Sequence, residues 1–216
     1  MKGEEINMQD DKRKDYITKQ EAFMGIAKLI AKRSKDPNSQ VGAVIVSNDD
    51  RILSLGYNGF PNGCSDDELP WAREYESEDE KEKVLNTKYP YVVHAELNAI
   101  LNFRGPSLEG STIYVTMFPC NECAKALIQS GIKRVIYLEN KYPDSASTAA
   151  TTKLFELAGI ELCKYEDYSH LARMVKLCMS ILKDVQPILS EEDPEKAYNI
   201  LKDKIDHKYI DMILVP

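Results

Sequence analysis

Two short runs of residues carry side chains that bind metal ions and move protons. Residues 94–96 form an H-x-E triplet, and residues 119–123 form a P-C-x-x-C run. One imidazole and two thiolates suit Zn²⁺, and three protein ligands leave a fourth position for water, which is typical of a catalytic zinc site. Such a site needs a base beside that water, and Glu96 is the candidate catalytic residue. The predicted zinc ligands are His94, Cys120 and Cys123.

Both runs fall where a predicted strand or loop leads into a predicted helix. The unpaired N–H groups of a helix start favour ionised sulfur, so both cysteines are expected to ionise readily. A C-x-x-C pair alone is also compatible with a thiol redox couple. The upstream H-x-E triplet and the proline directly before the first cysteine favour zinc instead.

The hydrophobic pattern predicts an α/β domain with a mixed central sheet. Thr18 and Glu21 form a T-x-x-E capping box that begins the first helix, and Gly159 is the predicted C′ residue of the helix before the last strand. Helices that alternate with short strands after an initial hairpin indicate helices packed on a mixed sheet. The predicted helices cover residues 18–34, from 94 onward, 120–130 and 147–158, and the predicted strands cover residues 41–46, 51–56, 112–116, 134–138 and 160–165.

Two segments carry narrower expectations. Residues 57–91 are rich in Gly, Pro and acidic residues, and a loop this long is usually functional or disordered. Within it, residues 74–83 are predicted to be a solvated segment. In the helix that begins near residue 94, the spacing predicts that Leu97, Ile100 and Leu101 face inward.

Composition and charge exclude several classes of protein. The 216 residues include 28 Lys and Arg against 35 Asp and Glu, a net charge of −7, which argues against a surface for nucleic acid. The sequence begins without an apolar signal region, and no run approaches the roughly 18 apolar residues of a membrane span, so we expect a cytoplasmic protein. The odd count of five cysteines indicates a reducing compartment. Outside the P-C-x-x-C run, Cys163 and Cys178 are expected to be buried core thiols, and Cys64 has no assigned role.

Longer segments around these runs resemble the deoxycytidylate (dCMP) deaminase family, part of the zinc-dependent cytidine and deoxycytidylate deaminases. They are RSKDPNSQVGAVIV, GYNGFPNGCSDDELPW, KYPYVVHAELNAILN and YVTMFPCNECAKALIQSGIKRVIY. The resemblance implies a cytidine-deaminase-like three-layer fold with helices on both faces of the sheet. It also implies hydrolysis of dCMP to dUMP and ammonia, which feeds dTMP synthesis. The expected domains are a flexible leader at 1–16, a catalytic domain at 17–166 and a helical C-terminal extension at 167–216.

The resemblance also implies substrate-binding residues. Tyr142 resembles the family aromatic that lies near the base, Asn58 resembles the asparagine that hydrogen-bonds the sugar, and Ala95 lies within the matching H-x-E motif. Two of these residues have another interpretation: Tyr142 as a surface tyrosine and Asn58 as a turn residue. The cations and donors predicted to bind the monophosphate lie at the end of the first helix, where a solvated helix end is the competing interpretation: Arg33, Ser34 and Lys35.

The family is regulated, which implies that dCTP with Mg²⁺ activates this chain and dTTP inhibits it. The corresponding effector residues are Gly56, Tyr57, Asn58, Gly59, Asp66 and Asp67. Feedback of this kind needs two states, commonly built from a ring of subunits, so the expected assembly is a homohexamer. Some phage relatives hold a second zinc through a cysteine near the end of the first helix, where this chain has Ser34-Lys35-Asp36-Pro37, so we predict one zinc per subunit.

Three alternatives stay open. The zinc motifs fix the reaction but not the number of phosphates, so dCTP or CMP is a possible substrate. A non-catalytic zinc-binding or nucleotide-binding regulatory protein is a second alternative, although such a protein has no need of Glu96. A deaminase that edits nucleic acid conflicts with the net charge of −7.

Overall fold

The computed structural model describes residues 16–166 and, beyond them, Met179, Lys183, Asp193 and Lys196. The chain divides into two units, Met1–Glu166 and Asp167–Pro216, and the elements described below all lie in the first. The predicted leader, apart from Tyr16, lies outside the described residues, and so do Cys178 and the rest of the predicted extension at 167–216, apart from those four residues. Within the described part of the chain, no helix combines the length and apolar character needed to cross a membrane.

Five strands form one mixed sheet in the order β2-β1-β3-β4-β5. Strand β1 runs antiparallel to both β2 and β3, while β3, β4 and β5 are parallel neighbours. The strands are β1 Gly42–Val46, β2 Ile52–Tyr57, β3 Thr112–Met117, β4 Arg134–Glu139 and β5 Glu161–Lys164. The helices are α1 Lys19–Ala31, α2 Glu80–Leu85, α3 Ala95–Asn102, α4 Asn121–Gln129 and α5 Ala146–Ala158. The sequence-based strands agree with these bounds within one or two residues.

Strand β1, which lies between β2 and β3, is buried along its whole length because both faces of the sheet are covered. On one face, Ala43 and Ile45 belong to a buried cluster that includes residues of α3, α4 and α5. On the other face, Val44 and Val46 pack with residues of α1. Successive side chains of a strand point to opposite faces, so this alternation produces two cores and three layers. The predicted three-layer arrangement is confirmed.

Local signals set two of the helix ends. The Thr18 side chain accepts from the Glu21 N–H at 3.2 Å, and the Glu21 carboxylate accepts from the Thr18 N–H at 2.7 Å, which confirms the capping box. Helix α1 stops at Ala31 rather than at Ser34, because the last N–H groups bond three residues back and tighten the chain into a turn. Gly159 has φ of 64° and caps α5 in the left-handed region, as predicted.

Helix α3, which follows His94, is tied to the edge strand β2. Asn98 and Asn102 lie four residues apart on one side of α3, and their amides donate to carbonyl oxygens of β2 at 2.7 and 3.0 Å. In return, the hydroxyl of Ser54 in β2 donates to the Ala99 carbonyl at 2.6 Å. An edge strand leaves backbone N–H and C=O groups unpaired. These hydrogen bonds satisfy two of the carbonyl groups and fix the position of α3 along β2.

The face of α3 toward the sheet is built from small residues. Ala95 and Ala99 are fully buried, whereas Leu101 is 57% exposed, so the prediction that Leu101 faces inward is wrong. The face with Ala95 and Ala99 packs closely on β2 at Gly56, where an added Cβ would overlap their backbone atoms. A large side chain has no room on this face, and Leu101 lies about 200° around the helix from Ala99, on the side away from the sheet.

Residues 57–91 run from the last residue of β2 into the connection between β2 and α3, which is closed by a backbone bridge. Gly59 and Val93 exchange two hydrogen bonds, of 3.1 and 2.8 Å. The side chains of residues 74–83 are mostly exposed, as predicted, but the short helix α2 in this region was not predicted. Asp79 caps α2, which buries no residue and therefore has no apolar period in its sequence.

Cys163 lies in β5, as the strand pattern indicates, but it is only half-buried. Strand β5 is the last strand of the sheet, so a residue there is covered by fewer neighbours than one in the centre. The expectation of a fully buried thiol is therefore wrong for Cys163.

Candidate active site

The three predicted metal ligands come together where two helices begin. His94 is the N-cap residue of α3 and Cys120 is the N-cap residue of α4, one turn before Cys123. The Nδ1 atom of His94 lies 3.4 Å from each of the two sulfur atoms. A tetrahedral Zn²⁺ with ordinary bond lengths places a sulfur and a nitrogen ligand about 3.5 Å apart. Chemistry and spacing of the donor set therefore fit Zn²⁺.

The cluster is closed on the protein side and accessible from a cavity. Cys123 is buried, Cys120 is half-buried, and His94 is exposed. His94 and Cys120 line the cavity, so a metal ion held by the three ligands has one side toward that space. Three protein ligands with an open fourth side are typical of a catalytic rather than a structural zinc site. In the described part of the chain, this is the one group of three such residues with suitable spacing.

The two thiols differ in acidity because they share one hydrogen bond. The hydrogen bond from Cys123, followed by that with His94, lowers the pKa of Cys120 to about 3. The same bond with Cys120, together with burial, raises the pKa of Cys123. The Cys120 thiolate in turn raises the pKa of His94 to about 9. Without metal, the cluster holds protons that Zn²⁺ displaces when it binds.

Glu96 is the second residue of α3 and is almost fully buried, with 4% of its surface exposed. Burial raises the pKa of this carboxyl, and the positive charge of His94 opposes the rise in part. A carboxyl that exchanges its proton closer to neutral pH is suited to carry protons to and from a reacting group. Glu96 lines the same cavity as His94 and Cys120, as the H-x-E spacing at a helix start requires.

The cavity has a volume of about 360 Å³ and holds several of the predicted substrate residues. Asn58, Ala95 and Tyr142 all line it. The backbone of Tyr142 is fixed to the start of α5, because its carbonyl accepts from Thr148 Oγ1 at 2.7 Å, while its ring is 51% exposed. The ring is therefore accessible to a ligand at the cavity mouth.

Other predicted residues lie outside the cavity lining. The Arg33 guanidinium lies 5.9 Å from the centre of the Tyr57 ring, and the Lys35 ammonium pairs with Asp66 at 2.5 Å. The remaining predicted residues that do not line the cavity are Ser34, Gly56, Gly59 and Asp67. The structure thus places the residues predicted to bind the phosphate beside predicted effector residues. They do not line the cavity that contains the zinc cluster.

Three cations that sequence reasoning missed line the cavity. Arg73 donates from Nε to the Tyr89 hydroxyl at 3.3 Å and from Nη2 to the Tyr142 hydroxyl at 3.2 Å. Lys141 directly precedes Tyr142, and Lys88 lies in a buried part of the wall. The signal available in the sequence was a basic residue within an otherwise acidic, irregular stretch. Such a stretch has no periodicity, so the sequence does not indicate where the basic side chain points.

Comparisons with known proteins agree with this geometry. A family model for the cytidine and deoxycytidylate deaminase zinc-binding region matches residues 17–139, which include all three metal ligands. The deoxycytidylate deaminase of Homo sapiens is 54% identical over 154 residues, which cover 71% of this chain and 83% of that protein. A probable deoxycytidylate deaminase of Drosophila melanogaster is 49% identical over 189 residues, 88% of each chain, so the similarity extends beyond residues 17–166.

Among solved structures, the crystal structure of the dCMP deaminase from cyanophage S-TIM5 in complex with dCMP and dUMP has the same fold. It is 29% identical, with a TM-score of 0.52, and the match covers 68% of this chain and 96% of that chain. The fold, the matched zinc-binding region and the relatives at about half identity agree. The chain belongs to the zinc-binding cytidine and deoxycytidylate deaminase family.

Proposed function

We propose that this chain catalyses the zinc-dependent hydrolysis of dCMP to dUMP and ammonia. The observation that carries the proposal is the His94, Cys120 and Cys123 cluster with the buried Glu96 beside it in one cavity. The relatives at about 54% identity are deoxycytidylate deaminases, which supports dCMP as the substrate.

In the proposed mechanism, His94, Cys120 and Cys123 would hold Zn²⁺, which when bound would lower the pKa of a water molecule in the cavity. Glu96 accepts a proton from the attacking water, whose oxygen forms a bond to the amine-bearing carbon of the ring. Glu96 then returns protons to the ring nitrogen and to the amine, which leaves as ammonia when its bond to that carbon breaks. Its burial, which raises its pKa, makes the return of a proton easier. Ala95 is the first residue of α3, so its N–H is not used by the helix's own hydrogen bonds and serves as a donor to the base.

The base is held at the mouth of the cavity by the ring of Tyr142. The half-exposed ring suits stacking on a flat pyrimidine, and the bonds of the Tyr142 backbone to α5 fix its position. Asn58, which directly follows β2 and lines the same cavity, binds the sugar. These roles orient the ring toward Glu96 and the metal cluster.

Two groups of cations are candidates for the monophosphate. Arg73 and Lys141 line the cavity, and within residues 16–166 the acidic partner of the Lys141 ammonium is Glu139, at 3.9 Å. The sequence-based group of Arg33, Ser34 and Lys35 does not line it. Guanidinium groups bind phosphate with two parallel hydrogen bonds, so we propose Arg73 as the main phosphate ligand.

Matched variants separate these two groups. Arg73→Ala is expected to lower kcat/KM for dCMP by about 10- to 100-fold while changing that for deoxycytidine, which lacks the phosphate, by less than about threefold. Lys35→Ala is the control, since Lys35 pairs with Asp66 outside the cavity. A selective loss on dCMP in Lys35→Ala, with none in Arg73→Ala, returns the phosphate role to the sequence-based group.

The substrate itself is tested by ammonia release from a panel of dCMP, dCTP, CMP, deoxycytidine and single-stranded DNA. We expect the highest kcat/KM with dCMP. A preference for dCTP or CMP moves the proposal to that nucleotide. A zinc-loaded protein that releases ammonia from none of them favours a regulatory role without turnover.

We further propose regulation by dCTP with Mg²⁺ as activator and dTTP as inhibitor, in a homohexamer. The residues concerned are Gly56, Tyr57, Asn58, Gly59, Asp66 and Asp67. Asn58 supports this link, because it follows β2 and also lines the substrate cavity, so an effector bound at residues 56–59 acts on a cavity wall. Sigmoidal velocity curves for dCMP that become hyperbolic with dCTP are expected, and identical curves with and without dCTP count against regulation.

The proposed setting is the cytoplasm, where dUMP from this reaction feeds dTMP synthesis. Residues 17–166 form the proposed catalytic domain, and residues 167–216 form an extension whose role is open.

A further inference from the structure

A buried polar network lies in the wall of the cavity, next to the cluster but not part of it. Asp36 and Lys88 are 2% and 5% exposed, and the Lys88 ammonium pairs with Asp36 Oδ2 at 2.5 Å. Asn58 is also buried and its amide donates to the same carboxylate oxygen at 3.3 Å. All three residues line the cavity. A ligand in the cavity can therefore bond any donor or acceptor of these three residues that the network itself does not use.

Asp36 has none to offer. Its Oδ1 atom accepts from the backbone N–H groups of Asn38 and Ser39 at 2.8 and 3.2 Å. Its Oδ2 atom accepts from Lys88 and Asn58. Four donors fill the acceptor sites of this carboxylate and fix it in place.

Asn58 has only an acceptor left. Its two amide hydrogens are used, because Nδ2 donates to the Ser39 carbonyl at 2.9 Å and to Asp36. Its Oδ1 atom accepts from the Val41 N–H at 2.8 Å, which leaves one lone pair of that oxygen. Asn58 therefore accepts a hydrogen bond from a ligand but has no donor for it.

Lys88 supplies the missing donor. An ammonium group has three N–H donors, and within residues 16–166 the acceptor bonded to Lys88 Nζ is Asp36 Oδ2. Since Lys88 Nζ and Asn58 Nδ2 bond the same oxygen, they lie at most about 6 Å apart. One acceptor and one donor on the same stretch of cavity wall are the complement of a hydroxyl group.

We infer that Lys88 completes the sugar contact already proposed for Asn58 by donating to the 3′-hydroxyl of the nucleotide, an inference that rests on the proposed function. Lys88 donates to the hydroxyl oxygen, and the hydroxyl hydrogen is donated to Asn58 Oδ1. The Asp36 carboxylate neutralises Lys88, so this part of the wall carries no net charge and suits a neutral hydroxyl better than a phosphate. The phosphate is left to Arg73 and Lys141, and the sugar of dCMP has no other free hydroxyl.

The experiment compares dCMP with 2′,3′-dideoxycytidine monophosphate, which lacks only that hydroxyl. In the wild type, kcat/KM is expected to favour dCMP by about 10- to 100-fold. In Lys88→Met, this preference falls below about fivefold, because the donor is gone. Arg73→Ala is the matched control: it loses preference for dCMP over deoxycytidine but keeps the preference for the 3′-hydroxyl.

Lys88→Met leaves the buried Asp36 unpaired, so the double variant Asp36→Asn/Lys88→Met, which removes both charges, is measured beside it. If turnover is too slow, the affinities for dUMP and 2′,3′-dideoxyuridine monophosphate, measured by calorimetry, give the same ratio without catalysis. That binding ratio also distinguishes the inference from a failure of the proposed function, which shows as no ammonia from dCMP.

Three results overturn the inference. The first is a wild type that treats both nucleotides alike within about threefold, which needs no variant at all. The second is a preference for the 3′-hydroxyl that survives in the variants. The third is a variant that keeps this preference but loses discrimination between dCMP and deoxycytidine, which assigns Lys88 to the phosphate.

Discussion

Replacing Gly56 with alanine tests how the fold positions the catalytic helix. A Cβ at this position would lie 2.9 Å from the Ala99 Cα and closer still to the Ala95 oxygen and the Ala99 nitrogen. All three are backbone atoms of α3, so no side chain can rotate away. Relief of the overlap requires α3 to retreat from β2 by on the order of 1 Å. Helix α3 begins directly after His94 and carries Glu96, so this shift moves both.

Two magnitudes follow from that displacement. Overpacking of this kind costs about 1 to 3 kcal/mol, which lowers Tm by roughly 2 to 12 °C for a chain of this size. A misplacement of about 1 Å at a reacting centre costs about 100-fold in rate. We therefore expect Gly56→Ala to be less stable and to have a kcat for dCMP about 100-fold below that of the wild type.

The assay measures Tm by calorimetry and kcat by ammonia release, both without effector. Gly25→Ala is the matched control, since Gly25 lies within α1 and an added Cβ there has no neighbour within 4 Å. It is expected to raise stability by about 0.5 to 1 kcal/mol and to leave kcat unchanged. A Gly56→Ala variant with the Tm and kcat of the wild type would refute the close approach and leave Gly56 with the effector role alone.

Three further predictions concern the metal, the core and a helix cap. Removing zinc with a chelator is expected to lower Tm, and adding zinc back to restore it, because the metal binds the folded state; a Tm that does not move counts against the site. Leu127→Ala, at a fully buried position, should cost about 2 to 5 kcal/mol in urea unfolding, and a cost under 1 contradicts the packing. Thr18→Ala should lower the free energy of unfolding by about 1 kcal/mol in the same measurement, and no loss would show that the capping box does not stabilise the fold.

The order of elements was predictable because each carries a local signal. The Thr18 capping box, Gly159 after α5 and the apolar strands all act through neighbours in sequence, and the structure confirms them. The zinc cluster was predictable for a related reason. Its ligands are the N-cap residues of α3 and α4 and a residue in the first turn of α4, so all of them lie in two short runs whose residue types and spacing identify them.

The rest of the site depends on contacts between distant residues. Arg73 lines the cavity as part of residues 57–91, an irregular segment closed by the Gly59 and Val93 bridge. Lys88 is buried through its pairing with Asp36, 52 residues earlier in the chain. Neither contact produces a periodic pattern in the sequence. The sequence therefore predicted Arg33, Ser34 and Lys35 as the phosphate-binding residues, because they form a local cluster of cations and donors.

Leu101 shows a different limit. The helical period predicts that this residue faces inward. The face of α3 that packs on β2 at Gly56 carries Ala95 and Ala99 instead. Periodicity identifies a helix and its apolar residues, whereas the distance between helix and sheet decides which of them fit.

The central claim is that Glu96 carries protons for a zinc-dependent deamination of dCMP. The most direct measurement is ammonia release from dCMP by the wild type and by Glu96→Gln, with zinc content determined in both. Glutamine keeps the shape of the buried side chain but cannot exchange a proton, so we expect equal zinc and a kcat lower by about 100- to 10,000-fold. Equal zinc with a kcat within about threefold of the wild type would contradict the account.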